Sequence, residues 1–143
     1  MLDQGYLPQL SGSTEEQAKQ ARLIRLGQLQ DALLRDARFV VSIRLHTGVG
    51  GAFTIEQAAD FFVQEGYQSP SIGMIETKRG SSDATYLYYT LGKLQIMKLR
   101  ADLMAKQGTS FDLQAFHDSL MRQGFAQIKI IRKAMLHNDS PTL

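Results

Sequence analysis

Apolar residues recur at three- and four-residue spacing through most of this chain, and glycine, proline, serine and aspartate interrupt the recurrence. Leu26, Leu29, Leu33, Ala37 and Val40 share one face of a helix predicted from Thr14 to about Thr47. Ser13 with Glu16 three residues on reads as a capping box, and Glu15 and Glu16 suit the positive end of a helix. Gly48, Gly50 and Gly51 stop it. Thr54 with Gln57 is a second capping box, opening a helix through Ala58, Ala59, Phe61, Phe62 and Val63 that ends at Gly66. Ser69 before Pro70 predicts a short helix to about Lys78, because proline's missing N–H costs nothing in a first turn. Gly80, Ser81 and Ser82 then read as a loop, and Asp83 as the cap of the next helix.

That next helix, about Ala84 to Lys106, carries two apolar faces. Tyr89, Gly92, Ile96, Leu99 and Leu103 lie on one, and Leu94, Met97, Ala101 and Met104 on the other. Two such faces predict a buried central helix covered from both sides. Asp112 caps a helix to about Gln123, with Phe111 and Phe116 at the positions of a hydrophobic staple. A last helix is expected over about Ala126 to His137, with Ile128 and Ile131 pointing inward. The run Ile128 to Ile131 is also compatible with a strand, but its flanks are helical. The pattern therefore predicts an all-α chain, about six helices in an orthogonal or bundle-like array. It reads as one domain over 1–143, with an irregular lead-in at 1–12 and a frayed tail at 138–143.

Composition narrows the function classes. A chain of 143 residues buries roughly two-thirds of its unfolded surface and needs no staple. The absence of cysteine excludes disulfides and thiolate metal sites. The net charge of +2 supplies no basic stripe for nucleic acid. No run approaches the length of a membrane span, and Met1 to Pro8 lacks the basic and apolar regions of a signal peptide. These features leave localisation open.

The chemistry-bearing residues are few. His46, His117 and His137 are far apart in sequence, and no His-Glu-x-x-His occurs; a zinc site needs three or four ligands in a tight geometry. Gly48-Val49-Gly50-Gly51 follows a helix and lacks the lysine and hydroxyl of a phosphate loop, so a helix stop explains it. Tyr86, Tyr88 and Tyr89 either pack as rings or present a neutral phenol to a developing oxyanion. Arg35, Arg38 and Arg44 form a solvated helix face, or one of them clamps a carboxylate with its planar fork. Lys129, Arg132 and Lys133 make a small basic patch.

Four stretches together carry a resemblance. They are Arg38 to Gly48, Phe53 to Ala58, Tyr89 to Arg100, and Phe111 to Asp118 followed by Gly124 and a final short helix. In that order they resemble the C-terminal region of a large uncharacterised bacterial family whose complete members are similar to helical zinc metallopeptidases of the gluzincin type. The resemblance implies that the zinc-binding half, with its His-Glu-x-x-His, belongs to a larger parent protein. It implies no metal ligand and no cofactor in this chain, with zinc required only by the parent. Tyr89 matches the tyrosine of a tyrosine-x-x-glycine helix and is implied to be an oxyanion donor. His46 matches a cleft-lining histidine. Arg44 and Tyr86 are further candidates for substrate contact. The Gly-Trp expected after the histidine is replaced by a glycine-rich run ending Ala52-Phe53. The implied partners are the rest of the parent chain and a peptide-like substrate, with self-association through exposed apolar surface. The competing expectation is a stand-alone helical interaction module without catalytic descent.

Overall fold

A computed structural model describes residues 13–143, so the lead-in expected over 1–12 lies outside the described residues. Among those residues the fold is all-α. Its elements are α1 (Thr14–Thr47), α2 (Ile55–Gln64), α3 (Pro70–Ser82), α4 (Tyr88–Gln107), α5 (Leu113–Arg122) and α6 (Ile128–Leu136), with 3-10 turns at Ala84–Leu87 and Gly108–Ser110. Among the described residues the contacts group into two compact units, the first ending at Leu87 and the second Tyr88–Leu143.

In the first unit the local signals act as read. Ser13 Oγ accepts from the Glu16 amide and the Glu16 carboxylate accepts from the Ser13 amide at 2.8 Å, satisfying two orphan donors at the start of α1. Gly48 ends α1 at φ 69°, a conformation that costs a side-chain-bearing residue but not glycine. Thr54 and Gln57 close the same reciprocal box on α2. Ala37 and Val41 of α1 pack on Ala58 and Phe62 of α2. Phe62 and Val41 are completely buried. α3 crosses α2 closely at Gly73, where a Cβ would come within 2.8 Å of the Ala59 carbonyl oxygen.

Two boundaries differ from expectation. α3 continues through Gly80, Ser81 and Ser82, and the two serine hydroxyls donate back to the Lys78 carbonyl at 2.9 and 2.8 Å. The Tyr86 ring fills the space beside Gly80 that a larger residue would claim. Asp83 then caps the 3-10 turn and not the long helix directly, accepting from the amide and hydroxyl of Thr85.

In the second unit Leu99 and Leu103 of α4, Phe116 of α5, and Ile131 and Leu136 of α6 form the core. Phe111 packs on Phe116 with ring centroids 6.3 Å apart, as a staple does. Only one face of α4 is covered: Leu94, Met97 and Met104 remain 43–51% exposed. Helical periodicity marks both faces as apolar but does not say which one a neighbour reaches. Ile128 to Ile131 is helical. The tail at 138–143 is irregular yet not frayed, since Arg132 holds Ser140 through Nε at 2.9 Å and Nη2 at 2.7 Å.

Candidate functional site: a buried carboxylate held by two arginines and a tyrosine

The densest polar constellation in the first unit centres on Glu76. Its α3 position turns the carboxylate inward, leaving the side chain only 7% exposed. Arg38, on α1, meets it with a bidentate fork, Nε to Oε2 at 2.7 Å and Nη2 to Oε1 at 2.8 Å. The Tyr86 hydroxyl donates a short hydrogen bond to the same Oε2. Arg79 stands 3.8 Å from Oε1. The Tyr86 ring in turn lies under the Arg38 guanidinium, 4.9 Å from its centroid, and near that of Arg79 at 5.7 Å.

The electrostatics follow from this packing. Burial pushes the Glu76 carboxyl upward, but the bonds from Arg38 and Tyr86 and the Arg38 charge outweigh it and hold the group below its ordinary value of 4.5. Burial, reinforced by the adjacent Glu76 carboxylate, pushes the Tyr86 phenol up from 10.0 to about 12. The hydrogen bond to Glu76 raises Arg38 further, so its charge is permanent. The cluster is therefore an ionised, satisfied knot with no proton to trade near neutrality. Its chemistry is structural: it ties α1, α3 and the 84–87 turn together.

Tyr86 belongs to this knot. Its ring is buried and its hydroxyl is committed to Glu76. An arginine of the α1 series does clamp a carboxylate, as the fork geometry allows, but it is Arg38 and the carboxylate is the protein's own. Glu76 escaped the sequence reading because a lone glutamate between Ile75 and Thr77 carries no local signal of burial.

The other candidates have different surroundings. His46, in the last turn of α1, contacts the Gly80 carbonyl oxygen through Nε2 at 2.8 Å. A carbonyl only accepts, so Nε2 carries the proton. The imidazole thereby fastens the end of α1 to the last turn of α3. Arg44 lies flat on Phe53, with Cζ 3.7 Å from the ring centroid. The aromatic side chain after the glycine-rich run thus acts as a platform for this guanidinium. Both flank a shallow groove that also touches Gln57, Asp60 and Gln64.

Tyr89 belongs to the second unit. It is 68% exposed, and its hydroxyl has no hydrogen-bond partner among the described residues. Tyr88 is also exposed, so of the three tyrosines only Tyr86 packs. A second polar knot in this unit joins Asp102 to Lys98 at 2.7 Å and to Arg132, which is 3% exposed. The bonds from Lys98 and Arg132 lower the Asp102 carboxyl. Among the described residues, no group of three or more His, Asp or Glu side chains is placed to hold a metal ion.

An all-α chain with two small helical cores and two internal ion-pair knots is the class these observations define. Within that class the chain belongs to the family described as "Bacterial protein of unknown function (DUF885)", which matches residues 1–135. No curated protein and no solved structure matches it.

Proposed function

We propose that the chain is the C-terminal helical domain of a zinc-metallopeptidase-like hydrolase, supplying one wall of the substrate cleft and no zinc ligand. The observation that carries this reading is the contrast between two tyrosines three residues apart. Tyr86 is buried and spent on Glu76, whereas Tyr89 offers an exposed phenol with no internal partner. An exposed phenol on a helix is a suitable hydrogen-bond donor to an oxyanion that develops during acyl transfer. Within the first unit, taken by itself, His46 is restrained by Gly80 and Arg44 lies half-buried on its Phe53 platform, which leaves them as separate candidates for lining a cleft and contacting substrate.

The test begins with the genomic sequence upstream of the Met1 codon. An in-frame His-Glu-x-x-His there supports the reading, and a start codon without it removes its basis. In the natural full-length protein, Tyr89→Phe is expected to lower turnover by roughly 10²–10³ with folding unchanged. Undiminished turnover would discard the oxyanion role. The present chain with added zinc should cleave no peptide, and zinc-dependent cleavage would contradict it.

A second reading is an interaction module without catalytic descent. It is favoured by one observation, the row of exposed leucines on α1: Leu23, Leu26, Leu29 and Leu33 are 36–59% exposed.

A further inference from the structure

The half-buried Arg44 guanidinium lies flat on Phe53, with Cζ 3.7 Å from the ring centroid. The glycine-rich turn comes up beside it, since a Cβ at Gly50 would stand 3.6 Å from Arg44 Nε. Stacking fixes the plane of a guanidinium and leaves its in-plane N–H groups to be used at the edges. Among the described residues Arg44 donates no hydrogen bond and joins no ion pair. Arg38, on the same helix, differs: its fork is spent on Glu76. Arg44 opens instead onto a groove of about 300 Å³, at the lower end of the range for ligand pockets. α2 supplies the opposite wall, where Gln57, Asp60 and Gln64 recur at the spacing of one helix face and Glu65 ends the row. The Asp60 and Glu65 carboxylates are exposed and make no ion pair or side-chain hydrogen bond among the described residues. The neighbouring Glu56 carboxylate is occupied by its own amide and the Thr54 hydroxyl. Gln57 gives its carbonyl oxygen to the Thr54 amide at 2.9 Å, which leaves its side-chain N–H groups for a ligand.

The groove thus sets two carboxylates against one guanidinium, and this mixture decides what fits. A simple anion drawn to Arg44 meets the carboxylates of α2, and a simple cation drawn to α2 meets Arg44. A ligand carrying both charges satisfies both walls. We propose that the groove binds a short peptide in its zwitterionic form. The Arg44 fork clamps the terminal carboxylate, and the ammonium faces Asp60 and Glu65. The proposal deepens the reading of Arg44 as a substrate contact and rests on that reading for its link to hydrolysis. The binding itself uses residues of the first unit alone.

Titration of the 143-residue chain tests it without added zinc, followed by NMR through the Arg44 Nε–Hε signal and the Gln57 and Asp60 amides. Three probes separate the charges. Glycylglycine carries both, N-acetylglycine lacks the ammonium, and glycylglycinamide lacks the carboxylate. Glycylglycine is expected to shift these signals saturably, with a Kd of about millimolar order. N-acetylglycine should bind about two- to fivefold more weakly, and glycylglycinamide at least about tenfold more weakly. Arg44→Lys keeps the charge and loses the planar fork, so glycylglycine should bind about tenfold more weakly to it. Asp60→Asn with Glu65→Gln, both at exposed positions, should erase the advantage of glycylglycine over N-acetylglycine. Circular dichroism checks that each variant folds. No saturable shift up to about 50 mM, an equal response to glycylglycinamide, or tighter binding of inorganic phosphate overturns the proposal. The hydrolase reading fails separately. Absence of binding beside an upstream His-Glu-x-x-His removes this subsite and leaves the Tyr89 role standing, whereas binding without that motif supports the subsite and removes its link to hydrolysis.

Discussion

Replacing Glu76 with alanine removes the centre of the first unit's polar knot and leaves its partners in place. Arg38 then keeps a permanent charge on the floor of the unit, and the Tyr86 hydroxyl loses its acceptor. Breaking a buried pair from one side typically costs 3–5 kcal/mol, because the remaining charge goes unpaired. The Arg38 side chain is 18% exposed, so water partly rescues it, which places the expected loss at the lower end, about 3 kcal/mol. For a unit of this size that corresponds to a fall in Tm of roughly 12–24 °C. Urea denaturation followed by circular dichroism at pH 7 measures it. The more discriminating variant is Arg38→Met with Glu76→Leu. If the cost of Glu76→Ala comes from stranded polar groups and not from lost attraction, removing both charges should be milder than removing one. A loss under about 1 kcal/mol for Glu76→Ala, or a double variant at least as unstable as the two single ones combined, would refute the reasoning.

The same knot sets a pH window. The Tyr86 phenol is raised to about 12, so its contribution is complete below pH 10.0 and lost as pH rises through the folded value; Tyr86→Phe should flatten this alkaline decline in a denaturation series. The Glu76 carboxyl is lowered, so its contribution holds above 4.5 and disappears as pH falls through the folded value, an acid limb that Glu76→Gln should abolish. Two helical glycines should respond oppositely to alanine. Gly73→Ala meets the Ala59 carbonyl oxygen at 2.8 Å and Val63 at 3.2 Å, and is expected to cost about 1–3 kcal/mol. Gly92→Ala meets nothing within 4 Å and should stabilise α4 by about 0.5–1 kcal/mol in the same melts. Leu99→Ala, at a side chain with no exposure, should cost the second unit about 2–5 kcal/mol by urea titration.

Helix starts were legible because their causes are local. Ser13 with Glu16, Thr54 with Gln57, Ser69 with Pro70 and Asp112 each satisfy orphan amides within three or four residues, so the sequence alone determined where these helices begin. Membership of the all-α class followed from the same short-range period. The end of α3 was less legible: the helix runs past Gly80 to Ser82, with the Ser81 and Ser82 hydroxyls bonded to the Lys78 carbonyl. What no local rule supplies is the choice among equivalent groups. Periodicity presents two apolar faces on α4, and only packing selects the one bearing Leu99 and Leu103. Arg35, Arg38 and Arg44 on α1 have the same chemistry on paper, as do Tyr86, Tyr88 and Tyr89. Tertiary structure alone decided that Arg38 and Tyr86 meet Glu76, Arg44 meets Phe53, and Tyr89 meets solvent. The reason is range: a cap closes within one turn, whereas Arg38 and Glu76 are 38 residues apart and come together only when α1 and α3 pack.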